Sequence, residues 1–382
     1  MVDSKWMAGN ELKYLVDVLR NDKTQVPYTD RLEKAFAELY GLKYAIAMNS
    51  ATSCIHAALW AAGIGEGDEV ITPGYTVIMD STPVIMLGAT PVFADVDYAT
   101  HNIDPRSVES KVTKRTKAII AVSYHGLPYD IAAIKEIANT YGLFLLEDNA
   151  QTQLAYYKGT PLGRDADMAL WSFERTKHLS TFEGGMLCTN NEDLAIAARK
   201  FAGLGFKNLT AGKSKMVAIT PKDFQRPDYT RHDSLGLNYR YNEFCAAVAL
   251  AQLERLDEIV ALRQRIALEY DDIFAGTPFE PQTVPSGYTH SYFSYCVKSP
   301  YRETKDWLDF YNRHREKGGD DFYGMMQPPY KEPILQDLGY EGYCPVTEEI
   351  QRRSMLFKTN YRTLDEAKTY IEILGRTVHE SI

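Results

Sequence analysis

Cysteine is scarce: five residues in 382, at positions 54, 188, 245, 296 and 344, with no two spaced as C-x-x-C. An odd, scattered set argues against a disulfide framework or a zinc site and fits reduced thiols in a cytoplasm. No apolar run approaches the ~18 residues needed to span a bilayer, so no membrane attachment is expected. The opening stretch, MVDSKWMAGNELKYL, lacks the apolar centre of a secretory signal. Positive charge is not in excess either. The formal net charge is −9, which argues against general nucleic-acid binding. Repeats and low-complexity tracts are also missing. What remains is a chain 45% hydrophobic, ample for a large core, and long enough for two domains or one domain with a smaller lobe.

Two helical patterns come first, NELKYLVDVLRN with Leu12, Leu15, Val16 and Leu19 recurring, and TDRLEKAFAELYG with Leu32, Phe36 and Leu39. From residue 44 short apolar runs alternate with helical stretches. The runs YAIAMN, DEVITPG, TPVFADV, KAIIAVSY, LFLLEDN, MALWSF and GMLCTNN are seven candidate strands. Several are apolar throughout, as strands covered on both faces are. The alternation predicts an α/β fold with an open, mostly parallel seven-stranded sheet, whose ligands bind at the carboxyl ends of the strands. NEDLAIAARKFAG follows as a helix. The irregular stretch 207–233 then carries six Lys/Arg against three Asp. One long helical segment is expected over NEFCAAVALAQLERLDEIVALRQRIALEYDDIF. Later stretches, HSYFSYCV as a strand and KDWLDFYNRHREKG as a helix, predict a smaller C-terminal α+β domain. The division is placed at 1–260 and 261–382.

Three stretches carry chemistry when taken together. In NSATSCIHAALWAAG a strand ends, small hydroxyl residues follow and a helix begins. Free N–H groups at a helix start favour an anion, above all a phosphate, and Ala51, Thr52 and Ser53 are small enough to let one approach. Ser50 or Thr52 as a simple helix cap satisfies the same pattern. In LLEDNAQTQLAYYKG an apolar strand ends in Glu147 and Asp148, with Gln151 three residues after the latter. A shielded Asp148 needs a cationic partner, and a protonated ring nitrogen would serve, as would an ordinary ion pair or helix cap. In SFERTKHLSTFEGGM, Ser172 ends a strand, Lys177 sits in the loop and Gly184-Gly185 lets the chain come close to something. A desolvated lysine becomes a nucleophile, a base or a Schiff-base former, while a lysine with its stem packed at the surface has the same spelling. A phosphate cradle, an acid for a ring nitrogen and an amine for an aldehyde are together the demands of pyridoxal 5′-phosphate.

At this point the chain resembles the DegT/StrS-type sugar aminotransferases of the aspartate aminotransferase fold, fold type I. The resemblance rests on LLEDNAQ and SFERTKHLSTFEGG. It extends through TQ at 24–25, GIGEGDEVITPGYT, LGATPVFADVD, YKGTPLG, GLNYRYNEFCAAVALAQLERLD and PPYKEPILQDLGY. It implies that Lys177 is the internal aldimine lysine and the proton shuttle, and that Asp148 keeps the pyridine nitrogen protonated. Gln151 would contact the phenolic oxygen, and Ala51, Thr52 and Ser172 would bind the phosphate. Asn238 would reach the phosphate of a neighbouring subunit, which implies a homodimer with its sites at the interface. No metal is implied.

Departures from the family pattern are visible. Val77 stands where relatives carry an aromatic residue stacked on the ring, and Tyr75 nearby is as well suited to the core. Phe182 takes a place usually held by Gly. The 207–233 stretch is long, and its cations would suit a diphosphate or simply solvent. His178 lies beside an intact Lys177, so the resemblance implies transamination and not the dehydration of relatives that carry His in place of the lysine. The expected reaction is ping-pong transfer from L-glutamate or L-glutamine to a keto-sugar, most often nucleotide-linked, in amino-sugar biosynthesis. Arg240, His290 and Tyr323 are candidate substrate contacts. An aminotransferase of a non-nucleotide cyclic ketone (inosose or aminoshikimate type), another PLP reaction on the same fold, and a PLP-binding regulatory relative are the alternatives.

Overall fold

The computed structural model describes residues 8–20, 26–214 and 220–381. The TQ match at 24–25 and part of the basic stretch, 215–219, lie outside them.

Seven strands form one sheet: β1 (Tyr44–Met48), β2 (Glu69–Pro73), β3 (Thr90–Ala94), β4 (Thr116–Val122), β5 (Phe144–Asp148), β6 (Met168–Ser172) and β7 (Gly185–Thr189). Their order is β1-β7-β6-β5-β4-β2-β3. All pairings are parallel except those of β7, which runs against both β1 and β6. The apolar spelling of these strands follows from their two-sided burial. Ala45, Ala47, Leu145, Ala169 and Trp171 pack into one core with the helices Tyr28–Tyr40 and Glu243–Leu253. Their neighbours Ile46, Met48, Leu146, Met168 and Leu170 pack into a second core with the helices Ala51–Ala61 and Glu192–Ala202. Successive side chains point to opposite faces, so a strand lined on both sides is apolar at most positions.

A smaller antiparallel sheet follows. Residues Glu280–Pro281 pair with β8 (Ser294–Lys298), and β8 pairs with β9 (Ser354–Lys358). Helices Leu256–Phe274, Thr304–Glu316 and Leu364–His379 share its core, with Ile266, Tyr270, Phe274, Phe310, Phe357 and Leu374 buried. The C-terminal portion also packs back on the large sheet, where Tyr330, Leu335 and Cys344 cluster with Phe93 of β3.

Two expectations need correction. The single long helix over 242–274 is two, Glu243–Leu253 and Leu256–Phe274, broken where Arg255 leaves helical geometry (φ −127°, ψ 24°). At the break, Arg255 pairs with Glu11 at 2.7 Å, while Glu254 accepts from Tyr14 at 2.5 Å and Asn10 at 2.7 Å. Tertiary bonds to the first helix thus override a locally continuous helical pattern. In that first helix, Glu11–Arg20, the apolar stripe is not the buried face. Glu11 and Tyr14 are buried, whereas Leu12, Val16 and Leu19 are exposed on the single chain.

Candidate functional site

The strand register gathers residues that are far apart in sequence. Met48 of β1, Gly185 of β7 and Ser172 of β6 stand in one row across the sheet. Asp148 ends the next strand, with its carbonyl accepting from Ser123 N–H at 2.9 Å. Every one of these residues is at the carboxyl edge of the parallel strands, where such sheets place their ligands.

At one end of this row the helix Ala51–Ala61 begins. Ser50 does cap it: its hydroxyl accepts the Ser53 N–H at 3.0 Å. The N–H groups of Ala51 and Thr52 find no acceptor among the described residues, so the cap leaves two donors for an anion. Gly185 makes the approach possible. A Cβ there would stand 2.7 Å from the Ala51 nitrogen and 2.8 Å from the Ser50 carbonyl oxygen. Gly184 is in an extended left-handed conformation (φ +153°), and a Cβ on it would meet the Tyr241 ring at 2.7 Å. Ser172, buried, accepts from the Glu174 N–H at 3.3 Å and keeps its own hydroxyl proton to donate.

Asp148 is 5% exposed, and its one firm bond is from the Ala150 N–H at 2.6 Å. No Lys, Arg or His pairs with it among the described residues. Burial raises its pKa, against the Ala150 N–H and the field of Lys177. A cation placed beside it would relieve that penalty, which is what a protonated ring nitrogen provides. Gln151 accepts the His125 N–H at 2.9 Å, and its side chain also hydrogen-bonds Tyr124.

Lys177 is half-buried in the loop between β6 and β7. Its ammonium nitrogen lies 4.4 Å from the centre of the Phe293 ring and makes no hydrogen bond or ion pair among the described residues. Burial lowers its pKa, opposed by Glu174 and Asp148. The loop is held on both sides. Phe173 bonds to Gly184 at 2.8 Å and to Thr181 at 2.9 Å. From the helix Leu256–Phe274, buried Arg263 donates to the carbonyls of Thr176 and Lys177 at 3.2 and 3.3 Å, and to that of Phe293 at 2.9 Å. His178 is buried at 2.9 Å from the Ser291 carbonyl and takes no part in the cavity lining. Phe182 is 57% exposed at φ +69°, the left-handed conformation that favours glycine, so the side chain sits at a backbone position built for Gly.

Lys177 opens into a cavity of about 970 Å³, lined also by Val77, Tyr124, Gln151, Tyr323 and Met325. Val77 therefore lies in the cavity, whereas Tyr75 is core, 1% exposed and bonded to Ser354 at 2.8 Å. The three candidate substrate contacts separate. Tyr323 lines the cavity and is 60% exposed. His290 is buried outside the lining, with Nε2 3.1 Å from Gln282 Oε1, Nδ1 accepting from the Tyr292 N–H at 2.8 Å, and its ring stacked on Tyr292. Arg240 and Asn238 are exposed on a segment that bridges to Met48 and Gly203.

Arg263 and Asp80 were not expected from the sequence. Arg263 has no signal of its own in a helix rich in charge. Asp80 had one, as a lone acid inside the apolar run VIMDSTPVIML.

Comparisons with known proteins agree with this geometry. Residues 6–372 match the DegT/DnrJ/EryC1/StrS aminotransferase family. An aminotransferase from Psychrobacter cryohalolentis is 29% identical, with 98% of this chain and 99% of that one covered at a TM-score of 0.84. The aminotransferase TlmJ from Streptoalloteichus hindustanus is 26% identical over 98% and 97% of the two chains, with a TM-score of 0.85. A 3-amino-5-hydroxybenzoic acid synthase is 27% identical over 97% and 96%, with a TM-score of 0.84. A buried acid without a cation, an unpaired lysine and two free amides at a glycine-cleared helix start are what pyridoxal phosphate requires of a protein. The chain belongs to the DegT/DnrJ/EryC1/StrS aminotransferase family, as a pyridoxal-phosphate-dependent transaminase of fold type I.

Proposed function

We propose that the chain transfers an amino group from L-glutamate or L-glutamine to a ketone on a sugar, most specifically a nucleotide-linked keto-sugar, in amino-sugar biosynthesis. The observation that carries the reading is the large cavity opening directly from Lys177. At about 970 Å³ it is at the top of the usual range for small-molecule sites, and Arg175, Lys358 and Arg362 line it beside the lysine. Lys358 is paired with Asp320 at 2.7 Å, and the excess of cations in that position suits an anionic handle on the acceptor, such as a diphosphate.

In this proposal Ala51, Thr52 and Ser172 hold the cofactor phosphate, Asp148 faces the ring nitrogen and Gln151 the phenolic oxygen. When bound, pyridoxal phosphate supplies an electron sink that stabilises negative charge at the substrate Cα. Lys177 carries the proton to and from that carbon, and its burial lowers the amine's pKa toward the range such transfer needs. Arg263 holds the loop so that this nitrogen stays over Phe293, at the cavity mouth. Asn238 completes the site of a second copy in a homodimer, in keeping with its exposure here. The domain division near residue 260 is part of the same proposal. In the helix Leu256–Phe274, Val260 belongs to the large core and Ile266 to the small one. Among the described residues no helix is long and apolar enough to cross a membrane, and we assign the protein to the cytoplasm.

A second reading is favoured by the likeness to 3-amino-5-hydroxybenzoic acid synthase: an acceptor that is a cyclic ketone without a nucleotide. One assay separates the two. Keto-acid release is followed with each donor, first alone and then with a nucleotide-linked keto-sugar or a free cyclic ketone. Turnover with the first acceptor alone supports the proposal. Turnover only with the second replaces it, and no keto acid from either donor refutes the choice of donor.

A further inference from the structure

Asp80 lies behind the site, at the end of the single turn Ile78–Asp80, and is fully buried. One of its carboxyl oxygens accepts from the Thr76 hydroxyl. The other, Oδ1, is buried and has no hydrogen-bond partner. A buried carboxyl oxygen left bare is costly and unusual in a native structure. The carboxyl of Asp148 is a neighbour, and the two acids act on one another through a side-chain hydrogen bond and their charges. Two ionised carboxylates cannot bond to one another, but a single proton between them satisfies both. Like charges this close in a buried site do not both ionise.

We propose that Asp80 is a positioning residue: it holds the proton of the Asp80–Asp148 pair and donates a hydrogen bond to Asp148, fixing Asp148 as the ionised partner of the cofactor's ring nitrogen. The second half rests on the assignment of Asp148 to that nitrogen. The direction of sharing follows from the surroundings. Asp148 has the Ala150 N–H, which stabilises a carboxylate, whereas Asp80 has only a hydroxyl. The other charged or titratable groups facing the pair are Lys177, which acts on both acids, Tyr124, which faces both, and Cys54, which faces Asp148. Burial, then Asp148, raises the Asp80 pKa well above its ordinary value. A raised carboxyl pKa contributes stability that is complete below the ordinary carboxylate range and is lost as pH rises through the folded value.

The first test uses the cofactor-free protein. Melting temperature is measured from pH 5 to pH 8 for wild type, Asp80→Asn and Asp80→Ala. Both variants lack the acid, so the variant-minus-wild-type difference should rise with pH by about 2 °C or more. A difference that does not change with pH overturns the shared proton. If one variant does not fold, the other gives the same readout. The second test adds pyridoxal phosphate and follows the pH midpoint of its visible absorbance. Asn at 80 accepts from Thr76 and still donates to Asp148, so Asp80→Asn should keep the wild-type midpoint, while Asp80→Ala shifts it. Equal midpoints in all three proteins, or equal shifts in both variants, overturn the positioning role. Asp148→Asn tests the underlying assignment by itself: an unchanged spectrum there removes Asp148 from the ring nitrogen, whatever the melting data show.

Discussion

Two regions of this molecule are assigned to one active site, and they are built in opposite ways. The edge formed by β5, β6 and the lysine loop is buried and cross-braced. Asp148, Ser172 and Gln151 each have at least one hydrogen bond, and Arg263 reaches across from the helix Leu256–Phe274 to clamp the loop. The surface segment carrying Asn238 and Arg240 is exposed, and neither side chain has a hydrogen-bond partner among the described residues. A side chain with internal partners is pre-organised before any ligand arrives, whereas an exposed one acquires its geometry only on association. The first region therefore holds its shape in one chain, and the second, on the proposed reading, takes up its role when another surface meets it.

That difference is most sharply drawn at Lys177. Its nitrogen has no internal partner, so Lys177→Ala should leave the melting temperature of the cofactor-free protein within about 2 °C. Transamination should fall by about 10²-fold to 10⁴-fold or more. A large fall in melting temperature would mean that the lysine is a packing residue after all. Arg263→Met should do the converse. It strips the donors from three backbone carbonyls and the Thr359 hydroxyl, at a cost of about 3 kcal/mol in denaturant unfolding. Its activity loss should be smaller than that of the lysine variant, since the amine is still present on a looser loop.

Much of the braced region was legible in the chain. Strands buried on both faces are mostly apolar, so all seven were visible, and the polar residues Asp148 and Ser172 at the ends of β5 and β6, with Lys177 in the loop after β6, mark the edge where such sheets place their ligands. What could not be seen is what depends on distant partners. The break at Arg255 is made by Glu11, more than two hundred residues away in sequence. The exposure of Leu12 and Leu19 follows from which helix face meets Glu254, and periodicity alone does not choose a face. His290 resembles a ligand-binding residue in sequence, yet its ring is committed to Gln282 and Tyr292.

Within the braced region, Glu147 differs from its neighbour Asp148 in having both carboxyl oxygens bonded inside the fold. It accepts from Asn149 at 3.0 Å and from the Gly163 N–H at 3.0 Å, and burial raises its pKa to about 7. A raised acid stabilises the fold in full below its ordinary pKa, and that contribution is lost as pH rises through about 7. Wild type should therefore lose about 2 kcal/mol from this group between pH 5 and pH 8. Glu147→Gln should lack that loss, read as a flatter plot of melting temperature against pH.

The smallest effect is expected in the exposed region, and it is the one that tests the comparison itself. Asn238→Ala removes a surface side chain with no internal bond, so the stability of the cofactor-free single chain should change by less than about 0.5 kcal/mol. If Asn238 instead completes a neighbouring subunit's phosphate site, the variant should bind pyridoxal phosphate about tenfold more weakly, the worth of a charge-assisted hydrogen bond near 1.4 kcal/mol. That weakening should disappear when wild type and variant are both diluted below the concentration at which the dimer forms, because neither then has a neighbour to supply the contact. A weakening that persists at every dilution would place Asn238 in the site of its own chain. The surface segment would then belong with the braced edge, and the contrast between the two regions would fail.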